Sequence, residues 1–181
     1  MKKWVMILAM AMLAGRGEAQ FNKATLQATG LTCAMCSNAI NKALQKVPAV
    51  ESVRSDIKNS SFNIVFKEGV ELNIDALKEA VEDAGFAIGS LKLTGSFSDV
   101  KLPAGQHVKL GNQYFHFMDA KTDVLNGENT LTVMDKDFIT LKQFKKISAT
   151  EKMPCLQTGV ADSCCEKEGV PALARVYHVM M

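Results

Sequence analysis

The sequence predicts an α+β protein of two parts, because two kinds of apolar periodicity alternate in its first half and a different pattern follows. Up to residue 94, segments in which every second residue is apolar, as in strands, alternate with segments of helical spacing. After residue 95, several short strand-like segments precede one late helix. A chain of 181 residues is long enough for one domain or two small ones.

The first half contains six predicted elements in the order strand, helix, strand, strand, helix, strand. Ala24, Leu26 and Ala28 alternate with polar residues and predict the first strand, and Ile40 and Leu44 recur at helical spacing in the first helix. The other four elements are indicated by apolar residues at Val53 and Ile57, at Phe62, Ile64 and Phe66, at Leu77, Ala80, Val81 and Ala84, and at Phe86, Ile88, Leu91 and Leu93. This order is typical of the ferredoxin-like arrangement, in which two helices cover one face of a four-stranded antiparallel sheet.

Two cysteines lie where the first strand gives way to the first helix. We expect Cys33 in the connecting loop and Cys36 in the first helical turn. Unpaired N–H groups and the positive end of the helix dipole favour the thiolate, which is the form that binds metals and attacks disulfides. The spacing alone leaves a metal site, a redox dithiol and a structural disulfide open. Two thiolates suit Cu(I) or Hg(II), whereas Zn(II) usually takes four ligands.

A family resemblance rests on three stretches, Gly30-Leu31-Thr32-Cys33-Ala34-Met35-Cys36, Val47-Pro48-Ala49-Val50 and Asp83-Ala84-Gly85-Phe86. Residues 21–94 thereby resemble the heavy-metal-associated domain of copper chaperones, copper-transporting ATPases and periplasmic mercuric-ion-binding proteins. The family more often has methionine where this chain has Leu31. The resemblance implies that Cys33 and Cys36 bind one soft ion, foremost Cu(I) with Hg(II) and Zn(II) as alternatives, and that Phe86 shields it. Met35 is expected to face solvent, with thioether ligation as the alternative.

Residues 1–19 have the pattern of a secretory signal peptide, with a basic start, an apolar run over residues 4–14 that is too short to span a bilayer, and small residues at 17–19. We expect a mature chain that begins at Gln20 and is exported in soluble form, most simply to a bacterial periplasm, without membrane insertion. The alternatives are a buried N-terminal helix and a retained anchor.

The charge of the chain gives no reason to expect a nucleic acid or an anionic membrane as a partner. The formal net charge of +2 belongs to the N-terminal segment, which holds three basic residues and one acidic residue. Removing them from the totals of 21 and 19 leaves 18 of each sign, so the rest of the chain is neutral.

Residues 95–181 predict a small, mostly β domain, possibly an OB-like barrel, behind a short linker at Thr94-Gly95-Ser96. The predicted features are turns at Gly111-Asn112, Asn126-Gly127 and Asp135-Lys136-Asp137, a short helix capped by Thr140, and a final strand over Val176, His178 and Met180. An OB-like barrel often binds nucleic acid, but the neutral charge of this part does not favour that role.

Three further cysteines leave two interpretations open for the C-terminal part. One is a disulfide that joins Cys155 to Cys164 or Cys165, because adjacent cysteines rarely bridge each other without strain. The other is a second soft-metal site completed by His178, Met180 or Met181. The chain has five cysteines, an odd number, so at least one is outside any intramolecular disulfide. His107 and His116 are expected to be isolated surface or strand residues.

The sequence thus predicts a periplasmic protein that binds a soft metal ion through Cys33 and Cys36 and scavenges it or transfers it to a metal-transporting pump or efflux component. It is expected not to be an enzyme, since no Ser-His-Asp, paired-carboxylate or phosphate-loop pattern is present. Three alternatives stay open: a thiol–disulfide oxidoreductase using the same two cysteines, a mercuric-ion transport component, and an assembly module whose C-terminal domain binds a membrane pump.

Overall fold

The computed structural model describes residues 20–31, 33–102, 105, 107–119, 122–162, 165 and 168–181. The predicted signal peptide, residues 1–19, and Cys164 therefore lie outside the described residues. Over the described ranges, no helix combines the length and the apolar character that crossing a lipid bilayer would require.

Eight strands and four helices follow one another in the described part of the chain, and most were expected from apolar periodicity. They are β1 (Gln20–Thr29), α1 (Ala34–Leu44), β2 (Val50–Asp56), β3 (Ser61–Phe66), α2 (Ile74–Asp83), β4 (Ala87–Lys101), β5 (His107–Leu110), β6 (Gln113–Asp119), β7 (Val124–Val133), α3 (Leu141–Thr150), α4 (Pro154–Thr158) and β8 (Val176–Met180). The predicted cap of α3 is confirmed, because Thr140 and Gln143 form a reciprocal capping box.

All eight strands belong to one sheet, in the order β2-β3-β1-β4-β7-β8-β6-β5. Neighbouring strands are antiparallel except for β6 and β8, which are parallel. The first four strands, with α1 and α2 between them along the chain and in contact with each other, have the predicted ferredoxin-like order. That part of the fold prediction is confirmed.

The prediction of a separate OB-like barrel is wrong for the described residues, because β5 to β8 extend the first sheet instead of closing on themselves. β7 pairs with the free edge of β4, and β8, β6 and β5 follow outward from it. The local pattern predicted short strands correctly, but strand periodicity says nothing about which edge a strand joins.

The predicted linker at residues 94–96 is also wrong, since these residues lie inside the 15-residue strand β4. One edge of β4 pairs with β1 as far as Ser96, and the other edge pairs with β7 from Leu91 onward. Thr94, Gly95 and Ser96 are small or polar, as in linkers, but here two neighbouring strands supply their hydrogen-bond partners. The predicted boundary at residue 95 thus falls in a strand that both parts of the sheet share.

The two predicted Gly-Asn and Asn-Gly turns have different outcomes. Gly111, with a φ of 59°, forms the tight turn between β5 and β6, where Leu110 pairs with Gln113, so this prediction is confirmed. The prediction of a turn at Asn126-Gly127 is wrong, because both residues lie within β7. Gly127 has a positive φ of 73° and lies opposite a β-bulge of β4.

One apolar core connects the two parts of the sheet. It contains Leu26 from β1, Leu77 from α2 and Leu93 from β4, together with Phe115 and Tyr177 from β6 and β8. A polar contact joins the same parts, because Asp75 at the start of α2 accepts hydrogen bonds from Arg175 Nε at 2.9 Å and from the Tyr177 hydroxyl at 3.0 Å. The core and this contact hold β8 in a fixed position relative to α2.

Gly95→Ala tests whether β4 runs through the predicted linker. A Cβ at this position would lie 2.8 Å from the carbonyl oxygen of Gln20 and 3.1 Å from the Cα of Phe21, and backbone atoms cannot easily move away. We expect a loss of about 1–3 kcal/mol of unfolding free energy in urea. In a flexible linker the same change would be neutral or slightly stabilising. Ser96→Ala, at the exposed neighbouring position, is the control, and an unchanged midpoint for Gly95→Ala would contradict the described strand.

Candidate metal centre

The connection between β1 and α1 carries the two predicted ligands. After β1, Gly30 has a φ of 81°, a left-handed conformation that glycine adopts without strain, and Leu31 packs against the main core. Cys33 is the N-cap of α1 with an extended backbone, and Cys36 follows in the first helical turn. The predicted positions of both cysteines, one in the loop and one in the helix, are confirmed.

The two sulfur atoms lie side by side at the protein surface. Cys33 Sγ and Cys36 Sγ are 3.0 Å apart, which is longer than a disulfide bond of about 2.05 Å. Cys33 is exposed and Cys36 is half-buried. With metal–sulfur distances of about 2.3 Å, a linear two-coordinate ion would need the sulfurs about 4.6 Å apart. Side-chain rotation at the exposed Cys33 can provide that separation.

The two apolar residues that the sequence analysis associated with the thiol pair differ in exposure. Met35 is 82% exposed, as expected for a residue that faces solvent between the two cysteines. Phe86 is half-buried and packs against the main core at the start of β4. Its role as a shield over the thiols stays a prediction.

The structure places His107, which was expected to be isolated, beside two cysteines that the sequence analysis had already considered together. Cys155, Cys165 and His107 place their ligand atoms within 4.8 Å of one another. No disulfide joins Cys155 to Cys165 in the structure, so this pairing is not found, and the alternative pairing with Cys164 lies outside the described residues. His178 lies beside Cys155, as the metal hypothesis suggested.

The remaining predictions for this part are partly wrong. Met180 lines a groove with Met118 and Met134, and Met181 packs against the main core. His116 is a strand residue, as expected, but it is buried, and burial together with the neighbouring His178 and His107 lowers its pKa to about 4.

Alkylation of the reduced, metal-free protein should separate the two groups of thiols. We expect a maleimide to label Cys33 and Cys36 under native conditions, whereas Cys155 and Cys165, each 0% exposed, should react only after unfolding. Peptide mapping by mass spectrometry after timed quenching measures each site. Equal labelling rates at Cys33 and Cys155 would contradict the described burial.

Comparison with known proteins gives a consistent set of relatives. A family model for the heavy-metal-associated domain matches residues 25–87, which include both Cys33 and Cys36. The mercuric transport protein periplasmic component of Pseudomonas fluorescens is 30% identical over 86 residues, which cover 48% of this chain and 93% of that protein. Copper chaperone CopZ of Staphylococcus haemolyticus is 30% identical over 59 residues, which cover 33% of this chain and 85% of that protein.

Larger relatives are matched over a small part of their length. Copper-transporting ATPase RAN1 of Arabidopsis thaliana is 36% identical over 72 residues, which are 40% of this chain and 7% of that protein. The chain spans less than a tenth of the length of the copper-transporting ATPases that it matches. The small bacterial relatives, in contrast, are matched over most of their length. On this basis the chain belongs to the heavy-metal-associated domain family.

Proposed function

We propose that this protein binds one soft metal ion, Cu(I) in the first place, between the sulfurs of Cys33 and Cys36 and passes it to a partner protein. The observation that carries this proposal is the pair of sulfurs, 3.0 Å apart at an exposed helix start. Thiolates are soft ligands that select ions such as Cu(I). Hg(II) has the same preference and is the alternative cargo.

The number of ligands at the pair favours these ions over zinc. Zn(II) in proteins is almost always held by four ligands, or by three and a water molecule. Cys33 and Cys36 supply two, and the side chain between them, Met35, is turned to solvent. A site with two thiolates suits ions that accept low coordination numbers.

Exposure of the pair supports transfer to another protein. Because Cys33 is exposed, a thiolate of a partner can approach the bound ion while one of the two local sulfurs leaves. The ion is then transferred directly from one protein to the other, without being released into water. A partner with a similar dithiol, such as a metal-transporting pump or efflux component, fits this exchange, and the names of several relatives describe copper-transporting ATPases.

The proposed place of action is an exported compartment, most simply a bacterial periplasm. Two observations support it: the signal-like pattern of residues 1–19 and the name of one relative, a periplasmic component of mercuric transport. In that setting the protein acts as a carrier, not as an enzyme.

Anaerobic titration of the reduced protein tests the proposal. We expect one equivalent of Cu(I) bound at Cys33 and Cys36, detected as an ultraviolet sulfur-to-copper charge-transfer band that saturates at one ion per thiol pair. Cys33→Ser and Cys36→Ser should each lower the Cu(I) affinity by at least about tenfold, since a hydroxyl is a hard and weak ligand for this ion.

Met35→Leu is the matched control, because it removes the intervening thioether and leaves both thiols in place. It should bind Cu(I) with unchanged affinity. If Cys33→Ser together with Cys36→Ser left uptake unchanged, the proposal would be wrong. If the reduced wild-type protein took up no Cu(I) or Hg(II) but catalysed disulfide reduction in insulin, the oxidoreductase hypothesis would replace it.

A further inference from the structure

All three histidines of the chain lie in one row across adjacent strands. His107 of β5 pairs with His116 of β6, and His116 pairs with His178 of β8. Residues that pair directly across a sheet point to the same face, so the three rings lie next to one another. Their centroids are 4.9 Å apart for His107 and His116 and 5.5 Å apart for His116 and His178.

Each outer histidine of the row faces a cysteine. Cys155 Sγ, from α4, is 3.4 Å from His178 Nε2. Cys165 Sγ is 3.5 Å from His107 Nε2. The ligand atoms of His107, Cys155 and Cys165 all lie within 4.8 Å of one another. His178 stands next to this group through its contact with Cys155.

Each of these two histidines also contacts a carboxylate through its other ring nitrogen, Nδ1. Glu168 Oε2 is 2.6 Å from His107 Nδ1, and Asp135 Oδ1 is 2.9 Å from His178 Nδ1. An imidazole that donates from Nδ1 keeps the lone pair of Nε2 for another bond. Histidines that bind metals almost always make such a contact, which fixes the tautomer and the ring orientation.

The distances agree with the geometry of a tetrahedral ion. Zn–S bonds of about 2.3 Å and Zn–N bonds of about 2.0–2.1 Å place sulfur and nitrogen ligands about 3.5–3.6 Å apart. The two Sγ to Nε2 distances are 3.4 and 3.5 Å. An ion among His107, Cys155 and Cys165 would therefore need only small side-chain movements. His178, which contacts Cys155 but lies outside that 4.8 Å group, would have to move closer to complete a tetrahedral set.

Burial favours a metal site over a catalytic one. Cys155 contacts His178, which in turn contacts Asp135. Thiol enzymes have the same series of contacts from nucleophile to base to the acid that orients the base. A nucleophile has to reach its substrate, however, and Cys155 and His178 are both 0% exposed. A cysteine–histidine contact also occurs twice, and the two sulfurs lie within 4.8 Å of each other, which a single catalytic nucleophile does not require.

We infer that Cys155, Cys165, His107 and His178 form a closed zinc site, separate from the exposed pair at Cys33 and Cys36. Four ligands of two cysteines and two histidines are a common set for structural Zn(II) in proteins. The two thiolates balance the charge of the ion, and loading releases their two protons. The ion would join Cys155 of α4 and Cys165 to β5 and β8, in addition to the apolar cluster that Cys155 and Cys165 form with Val176.

Metal titration in a Cys33→Ser, Cys36→Ser background tests this site alone. We expect the reduced protein to bind one equivalent of Co(II), with the d–d bands of a tetrahedral ion and a sulfur-to-cobalt charge-transfer band, and Zn(II) to displace it. Adding Cys155→Ser and Cys165→Ser should abolish the charge-transfer band.

A milder variant keeps the test valid if the serine variants do not fold. Glu168→Gln leaves all four ligands in place but weakens the contact that orients His107, so the Zn(II) affinity should fall by roughly 10- to 100-fold in a chelator competition. Glu128→Gln, an exposed acid on β7, is the matched control and should leave the affinity unchanged.

Two results would overturn the inference: no uptake of Co(II) or Zn(II) by the reduced background protein, or a Zn(II) affinity that Glu168→Gln does not change. Neither result depends on Cu(I) binding at Cys33 and Cys36, so this inference and the proposed function can fail separately.

Discussion

The double pairing of β4 is the constraint on which the rest of the fold depends. Between Leu91 and Ser96 the strand pairs with β1 on one edge and with β7 on the other. Every residue of that segment is thus fixed by two neighbours, and the heavy-metal-associated part is continuous with the strands that follow it. The connection between β1 and α1, where Cys33 and Cys36 lie, is anchored to this sheet through β1.

The two pairs of cysteine sulfurs lie in different surroundings. At the start of α1, Cys33 is exposed and Cys36 is half-buried, which suits an ion that has to arrive and leave. Around Cys155 and Cys165, the polypeptide supplies histidines, carboxylates that orient them, and almost complete burial. An ion held there would exchange slowly and contribute to folding, as structural zinc does.

The sequence was sufficient to predict the first part of the fold and its exposed thiol pair, because the signals there are local. Strand and helix periodicity, the glycine before the motif and the two cysteines all lie within a few residues of one another. The linker predicted around Gly95 was wrong. Glycine occurs both in flexible linkers and in strands where another backbone lies very close, and the sequence alone does not distinguish the two cases. For the buried cluster, the sequence offered Cys155, Cys165 and His178 only as one of two hypotheses, because their spacing fits no recurring pattern. It missed His107, which reaches this cluster through the pairing of β5, β6 and β8.

The 3.0 Å distance between the Cys33 and Cys36 sulfurs bears on the proposed location in an exported compartment. Closing it to a covalent bond of about 2.05 Å takes a movement of only about 1 Å. In an oxidising compartment, metal binding at these two thiols would therefore compete with their oxidation. The fraction of molecules able to bind metal would depend on the local supply of reductant as well as on the supply of metal.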